Sequence, residues 1–420
     1  MNRYEEYKKV NLPWLKEIPI HWEILPISHV FEERKERNNN SNNQFILSVM
    51  KNTGVIPYTD KGNVGNKASE NIENYKVVYP NDLVLNSMNM MIGSLGKSNY
   101  KGVLSQVYYV LKLMNSTKYN IDYLSYLFKN KAFHESFRVL GKGILDHRLR
   151  VPIQLLKYEK ILIPPINEQE QIVNYLDWKI NEIDRLIQVE KDKQILVKNI
   201  FDNKLKRKYI SLKKYNMVSL KRICTVFSGK EVVDEIDFKE GAIPVYGSGS
   251  SVFKYTSNVM LDGKFIVFGR KGTIGKPYIV NDRFWLVDTA YAAINNDLVT
   301  FDYLFYLLRI LNWEEITTNT VKPSIVANQV IQTKIKLPVI EEQNAIMSDI
   351  NSYEKNINTI IEFISKKIEE LELLKQSLIS EVVTGKIDVR NVVIPEYEKV
   401  TLLDDEIEEF DEMEGIEDGD

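Results

Sequence analysis

Apolar residues at threes and fours dominate two long stretches of this chain, and alternating apolar residues dominate what lies between them. In the second stretch Ile346, Ile350, Tyr353, Ile357, Ile360, Ile364, Ile368, Leu371, Leu374 and Leu378 form a narrow heptad stripe with charged residues on the other faces. The first stretch repeats the stripe with Ile172, Leu176, Ile180, Ile183 and Ile187, then Gln194, Val197, Phe201 and Leu205 after a polar interruption near Glu190. This spacing predicts two helices of roughly forty residues, each about 60 Å long at 1.5 Å per residue. A stripe this narrow covers no globular core alone, so each helix is expected to pair with its own repeat as an antiparallel coiled coil.

Each helix is entered the same way. KILIPPINEQEQI (160–172) and KIKLPVIEEQNAI (334–346) align without a gap at an offset of 174, so Glu168 and Gln169 match Glu342 and Gln343. The regions ahead of them also repeat, with unequal loops: EILPISHVFEER (23–34) with VSLKRICTVFSG (218–229), GSLGKSNY (93–100) with GTIGKPYI (272–279), and IDYLSYLFKN (121–130) with FDYLFYLLRI (301–310). YKVVYPNDLVL (75–85) and GVLSQVYYVLKL (102–113) read as strands, and 121–137 as an amphipathic helix. The expected organisation is a strand-rich domain over 1–164 with an aromatic, proline-bearing lead-in, a helix over 165–213, a second domain over 214–337, a helix and exit over 338–390, and a tail over 391–420. The fold class is therefore α+β: two similar strand-rich domains separated by a two-helix spacer, with a pseudo-twofold internal repeat.

Composition narrows the function. A single cysteine, Cys224, and four scattered histidines leave no disulfide framework and no metal-ligand spacing, and no stretch is apolar enough to be a signal or a membrane span. A soluble, cytoplasmic protein without a metal is expected. Net charge is −3, but Asp404–Asp420 carries eleven acidic and no basic residues, so the remainder carries +8. A basic body favours a polyanionic partner. The acidic tail reads as a disordered solubilising end, with the sharper alternative that it shields the basic surface from non-specific DNA.

No catalytic motif emerges. A DNA methyltransferase needs a glycine-rich loop for S-adenosylmethionine and an N-P-P-[FYW] or P-C motif, and Pro164-Pro165 lies between isoleucines. GRKGTIGK (269–276) spells most of a phosphate-binding loop, but Pro277 replaces the hydroxyl residue and the repeat partner has a methionine at the first glycine, so a tight turn between strands is the better reading. The residues able to read bases or hold phosphates cluster in loops: Lys51, Asn52, Tyr58, Lys61 and Asn63, then Lys97, then Lys142, His147, Arg148 and Arg150 in the first domain. In the second they are Tyr246, Ser248, Ser250 and Lys254, then Arg270, Lys271 and Lys276, then Asn319, Thr320 and Lys322.

The lead-in WLKEIPIHWEILPI, the junctions IPPINEQEQI and LPVIEEQNAI, and the exit LISEVVTGKIDVR (378–390), in this order, resemble the DNA-specificity subunits of Type I restriction-modification systems over nearly the whole chain. The resemblance implies two target recognition domains, each reading one half of a split, asymmetric double-stranded DNA site. It also implies a non-catalytic role in host defence and DNA methylation. Two modification subunits are expected to dock on the helices and to carry S-adenosylmethionine, with two ATP-driven restriction subunits in the full complex. One departure stands out: the first helix ends in NIFDNKLKRKYISLKK, without a clear copy of the VVTGKI exit. The rival reading is a coiled-coil adaptor whose paired domains bind protein.

Overall fold

The structure is a computed structural model that describes residues 2–39, 43–51, 53–62, 67–69, 71–142, 149–238, 241–318 and 323–400. Four helices organise it: α1 (Ile121–Lys129), α2 (Ile166–Ile210), α3 (Phe301–Ile310) and α4 (Ile340–Val383). The chain divides into two compact units, residues 1–190 with 366–420, and residues 191–365. Each unit therefore owns half of α2 and half of α4.

The duplication read from sequence is a duplication of sheet order. In the first unit an antiparallel sheet runs Phe31–Glu33, Tyr108–Leu113, Leu83–Asn86, Leu95–Lys97. In the second, Cys224–Ser228, Ala290–Asn295, Leu261–Gly269 and Tyr278–Leu286 follow in the same order, and Ile243–Tyr246 and Lys254–Thr256 extend the sheet. A two-stranded ribbon precedes each long helix: Glu23–Pro26 pairs with Lys160–Ile163, and Asn216–Ser219 pairs with Lys334–Leu337. The predicted amphipathic segment over 121–137 breaks at Asn130, whose side chain caps the following turn by accepting from Phe133 N.

Within each unit the helix halves run antiparallel. In the first, Ile172, Leu176, Ile183 and Ile187 are buried with Leu378, Ile180 and Leu371 pack partly buried beside them, and Lys375 reaches Asp184 at 2.6 Å. The polar interruption at Glu190 is a buried carboxylate paired with Lys367 at 2.6 Å. In the second, Phe201 stacks on Tyr353 at 6.0 Å, Leu205, Ile346, Ile350, Ile357 and Ile364 are buried, and Gln194 donates to Ser365. The seam departs from expectation at two positions. Ile360 is 44 % exposed and Ile361 packs inward in its place, and Leu374 is 54 % exposed. Both isoleucines satisfy a three-or-four spacing between Ile357 and Ile364, so periodicity alone could not choose between them.

The lead-in is held by charge and shape. Glu168, 5 % exposed at the start of α2, accepts from Tyr4 Oη (2.5 Å) and Trp22 Nε1 (2.9 Å) and lies 2.8 Å from His21 Nε2. At the other end α4 stops at Gly385, whose φ of +73° closes the helix. A Cβ there would come within 2.4 Å of Pro19, so only glycine admits the lead-in, and Tyr7 Oη donates to the Gly385 carbonyl.

Candidate nucleic-acid interface

In the first unit, Lys35, Arg37, Lys76, Lys142 and Arg150 converge on a cleft of about 810 Å³ whose lining holds one carboxylate, Glu33. The cations come from distant parts of the sequence. Lys76 is braced by Glu33 at 3.2 Å and by the Tyr108 carbonyl at 2.8 Å. Lys142 and Arg150 are set side by side because their backbones exchange two hydrogen bonds of 3.0 Å. Gln106 and Gln154 add amides that can donate and accept. An anionic backbone fits this cleft, and arginine and glutamine at its wall are side chains that read base edges.

In the second unit a smaller cleft of about 390 Å³ is lined by Gly247, Ser248, Gly249, Ser251, Phe253, Val287, Asp288 and Thr289. The Arg270–Lys271 turn sits beside it: Arg270 N donates to Thr289 O, and its Nη1 lies 3.4 Å from the Asp288 carbonyl. Arg270 Nε is buried without a hydrogen-bond partner. Ile325 N donates to Arg270 O and Lys271 bridges Ser324, so this turn abuts the Ser324–Ile325 segment. Gly269 allows the approach, since a Cβ would stand 2.4 Å from Thr273 O and 3.0 Å from Ser248 Cβ. Gln106 and Asp288 each precede the same central strand of their sheet by two residues, so the two clefts present different chemistry at one repeated position.

The turn reading of GRKGTIGK holds. It joins two antiparallel strands, Leu261–Gly269 and Tyr278–Leu286, with Gly272 and Gly275 at positive φ, whereas a phosphate-binding loop needs a helix after it. Ser250, Lys271 and Lys276 are exposed, as are Lys51, Lys142 and Arg150.

Several residues expected to contact DNA are engaged within the protein. Lys61 is only 9 % exposed and lies over the Tyr58 ring, whose hydroxyl accepts from Ala68 N. Lys97 is ion-paired with Asp122 on α1, Lys254 is paired with Glu235 at 2.5 Å, and Tyr246 packs into the sheet against Tyr278 and Phe284. Asn52, Asn63, His147, Arg148, Asn319, Thr320 and Lys322 lie outside the described residues, as do residues 401–420 of the tail expected over 391–420, whose first ten residues are described. Lys35, Arg37 and Lys76 escaped the sequence reading because no motif links them. The one signal for Lys35 and Arg37 was the basic run RKER (34–37) beside a polar loop, and Lys76 had none.

Among the described residues no group of three or more His, Cys, Asp or Glu side chains could hold a metal, and no helix is long and apolar enough to cross a membrane. Cys224 is buried, and burial pushes its thiol up to about 11, which suits a packing role.

The outer faces of the long helices carry a second repeated feature. Leu186 and Val189 on α2 and Leu374 on α4 are exposed in the first unit. The residues 174 positions away, Ile360 and Phe363 on α4 and Ile200 on α2, are exposed in the second. Exposed leucine, isoleucine and phenylalanine at repeated positions mark surfaces built to be covered.

The chain belongs to the family described as the Type I restriction modification DNA specificity domain, which matches residues 19–198 and again 212–372. It is 25 % identical over 422 residues to the Type I restriction enzyme MjaVIII specificity subunit of Methanocaldococcus jannaschii, covering 89 % of this chain and 95 % of that one. In fold it is similar, at a TM-score of 0.58 and 14 % identity, to a chain solved in work on complex assembly and conformational transition of the type I R-M system. That likeness covers 88 % of this chain and 99 % of the other.

Proposed function

We propose that this chain is the DNA-specificity subunit of a Type I restriction-modification complex and has no catalysis of its own. The observation that carries the reading is the duplicated sheet with one cleft per copy, the first lined by five cations and the second flanked by Arg270 and Lys271. Each cleft engages one half of a bipartite double-stranded site. Because the clefts differ at Gln106 and Asp288, and in size, the half-sites differ. Glutamine suits adenine and aspartate suits the cytosine amino group. The repeated exposed triplets dock two modification subunits, which bring S-adenosylmethionine and methylate DNA. Restriction subunits, where present, bring ATP. This division of labour accords with the family to which the chain belongs, and a cytoplasmic location is part of the same reading.

The test is DNA binding by the chain with its modification subunit across a salt series. Phosphate contacts release counterions, so affinity should fall steeply as salt rises, with a log–log slope of about −0.9 per phosphate neutralised. Binding that ignores salt and DNA sequence would favour the protein-adaptor reading.

A further inference from the structure

The ten residues after the exit, Asn391–Val400, lie along α2 as an extended strap. Gln171 Nε2 donates to the carbonyls of Val389 (2.9 Å) and Val392 (2.8 Å). Further along, Asn181 Nδ2 donates to Glu398 O (3.0 Å), Arg185 reaches the same carbonyl at 3.3 Å, and Val400 N returns a bond to Asn181 Oδ1 (2.7 Å). Val392, Ile394, Tyr397 and Val400 are half-buried between exposed neighbours. The strap therefore has an inward and an outward face.

Its track is the continuation of the exposed patch. Gln171, Trp178, Asn181, Arg185 and Val189 follow one side of α2 at helical spacing, so the strap's last contact, at Arg185, lies next to Leu186 and one turn short of Val189. The repeat provides a control. At the corresponding positions of α4, offset by 174, stand Ala345, Ser352, Lys355 and Thr359, all exposed, leading bare to Ile360 and Phe363. Where the strap lies, α2 has Tyr175 and Trp178; α4 has Asp349 and Ser352 there. The strapped helix thus carries aromatic side chains where the bare one carries polar side chains. A partner helix of three turns needs roughly 16 Å of track. The α4 face offers it, and on α2 the strap occupies it.

We propose that the strap Asn391–Val400 is a built-in competitor for the α2 docking face, so that the two faces equated by the repeat load a modification subunit in order, α4 first. This rests on the docking reading above. It makes a complex with one modification subunit a discrete species, and displacement of the strap the step that admits the second.

The test compares the full chain, a chain ending at Val400, a chain ending at Arg390, and a full chain with Ile394→Ser and Tyr397→Ser. Each is titrated with purified modification subunit by calorimetry and native mass spectrometry. The full chain and the chain ending at Val400 should bind the second copy at least about tenfold more weakly than the first. The chain ending at Arg390 and the double-serine chain should bind both alike. Should truncation at Arg390 prevent folding, the double-serine chain decides, because it alters only the strap. Equal affinities in the full chain, or a gap that persists once amide exchange shows the strap released, would overturn the proposal. The docking reading fails separately: Ile360→Asp with Phe363→Asp must abolish the tighter event, and unchanged binding would remove both ideas.

Discussion

Gln169 and Gln343 make the same three hydrogen bonds in the two halves of the chain. Gln169 Oε1 accepts from Asn120 N while its Nε2 donates to Lys118 O and Pro164 O; Gln343 accepts from Thr300 N and donates to Leu298 O and Pro338 O. Both are fully buried, and Asn120 and Thr300 are the caps of α1 and α3. The junction motif is thus a clamp that ties the start of each long helix to the short helix of its own domain. Alanine at either position leaves buried donors and acceptors unmet and should cost about 2–4 kcal/mol of that unit's stability. Urea unfolding followed by a probe in each unit checks it, with the effect confined to the altered half.

The lead-in should depend on Glu168 in the same way. Glu168→Ala strands the Tyr4 hydroxyl and the Trp22 indole, for an expected loss of about 3 kcal/mol, and Glu168→Gln should lose less because an acceptor remains. Limited proteolysis within residues 1–22 would report the release. Glu342, at the matching position of α4, is half-exposed, and its alanine variant should be close to neutral.

Within the first cleft, Arg37→Ala, Lys142→Ala and Arg150→Ala should each weaken DNA binding several-fold and lower the salt slope by about one where the lost contact is to phosphate. Gln106→Ala should relax sequence preference in one half-site more than it weakens binding. Lys61→Ala and Lys97→Ala, whose cations are already engaged within the domain, should leave the salt slope unchanged. Fluorescence anisotropy at several salt concentrations separates these outcomes.

Acid should loosen the first unit through His134. Its ring is 7 % exposed with Nδ1 3.0 Å from Met91 O, and burial pushes its pKa below the ordinary 6.5. A depressed folded-state pKa favours the neutral form, so the contribution is present above pH ~6.5 and is lost as pH falls through the lower value. The melting temperature should drop over that window, and His134→Gln should flatten the dependence.

How much was legible in the sequence varied with how local the signal was. The duplication, the junctions and the long helices rest on gapless or periodic patterns, and the duplication accounts for the likeness of the two sheet orders, though not for the order itself. Ile360 was misread because two adjacent isoleucines both fit the heptad; Ile361→Asp should now destabilise the second unit and Ile360→Asp should not. The cleft was half-read: Lys142 and Arg150 sit in an obvious basic loop, whereas Lys35, Arg37 and Lys76 meet them only through strand pairing. Lys61 and Lys97 looked exposed because lysine usually is, and their partners Tyr58 and Asp122 are tertiary neighbours. The strap was hidden by the acidic run behind it, although Val392, Ile394 and Tyr397 carry a faint apolar alternation.

The most direct test of the central claim is a genome-wide map of methylated bases in cells whose modification subunit is intact, with the native chain, without it, and with residues 25–163 exchanged for the corresponding domain of a relative. The account predicts one bipartite, asymmetric motif that vanishes without the chain and changes in one half only after the exchange. A map that is the same in all three cells would contradict it.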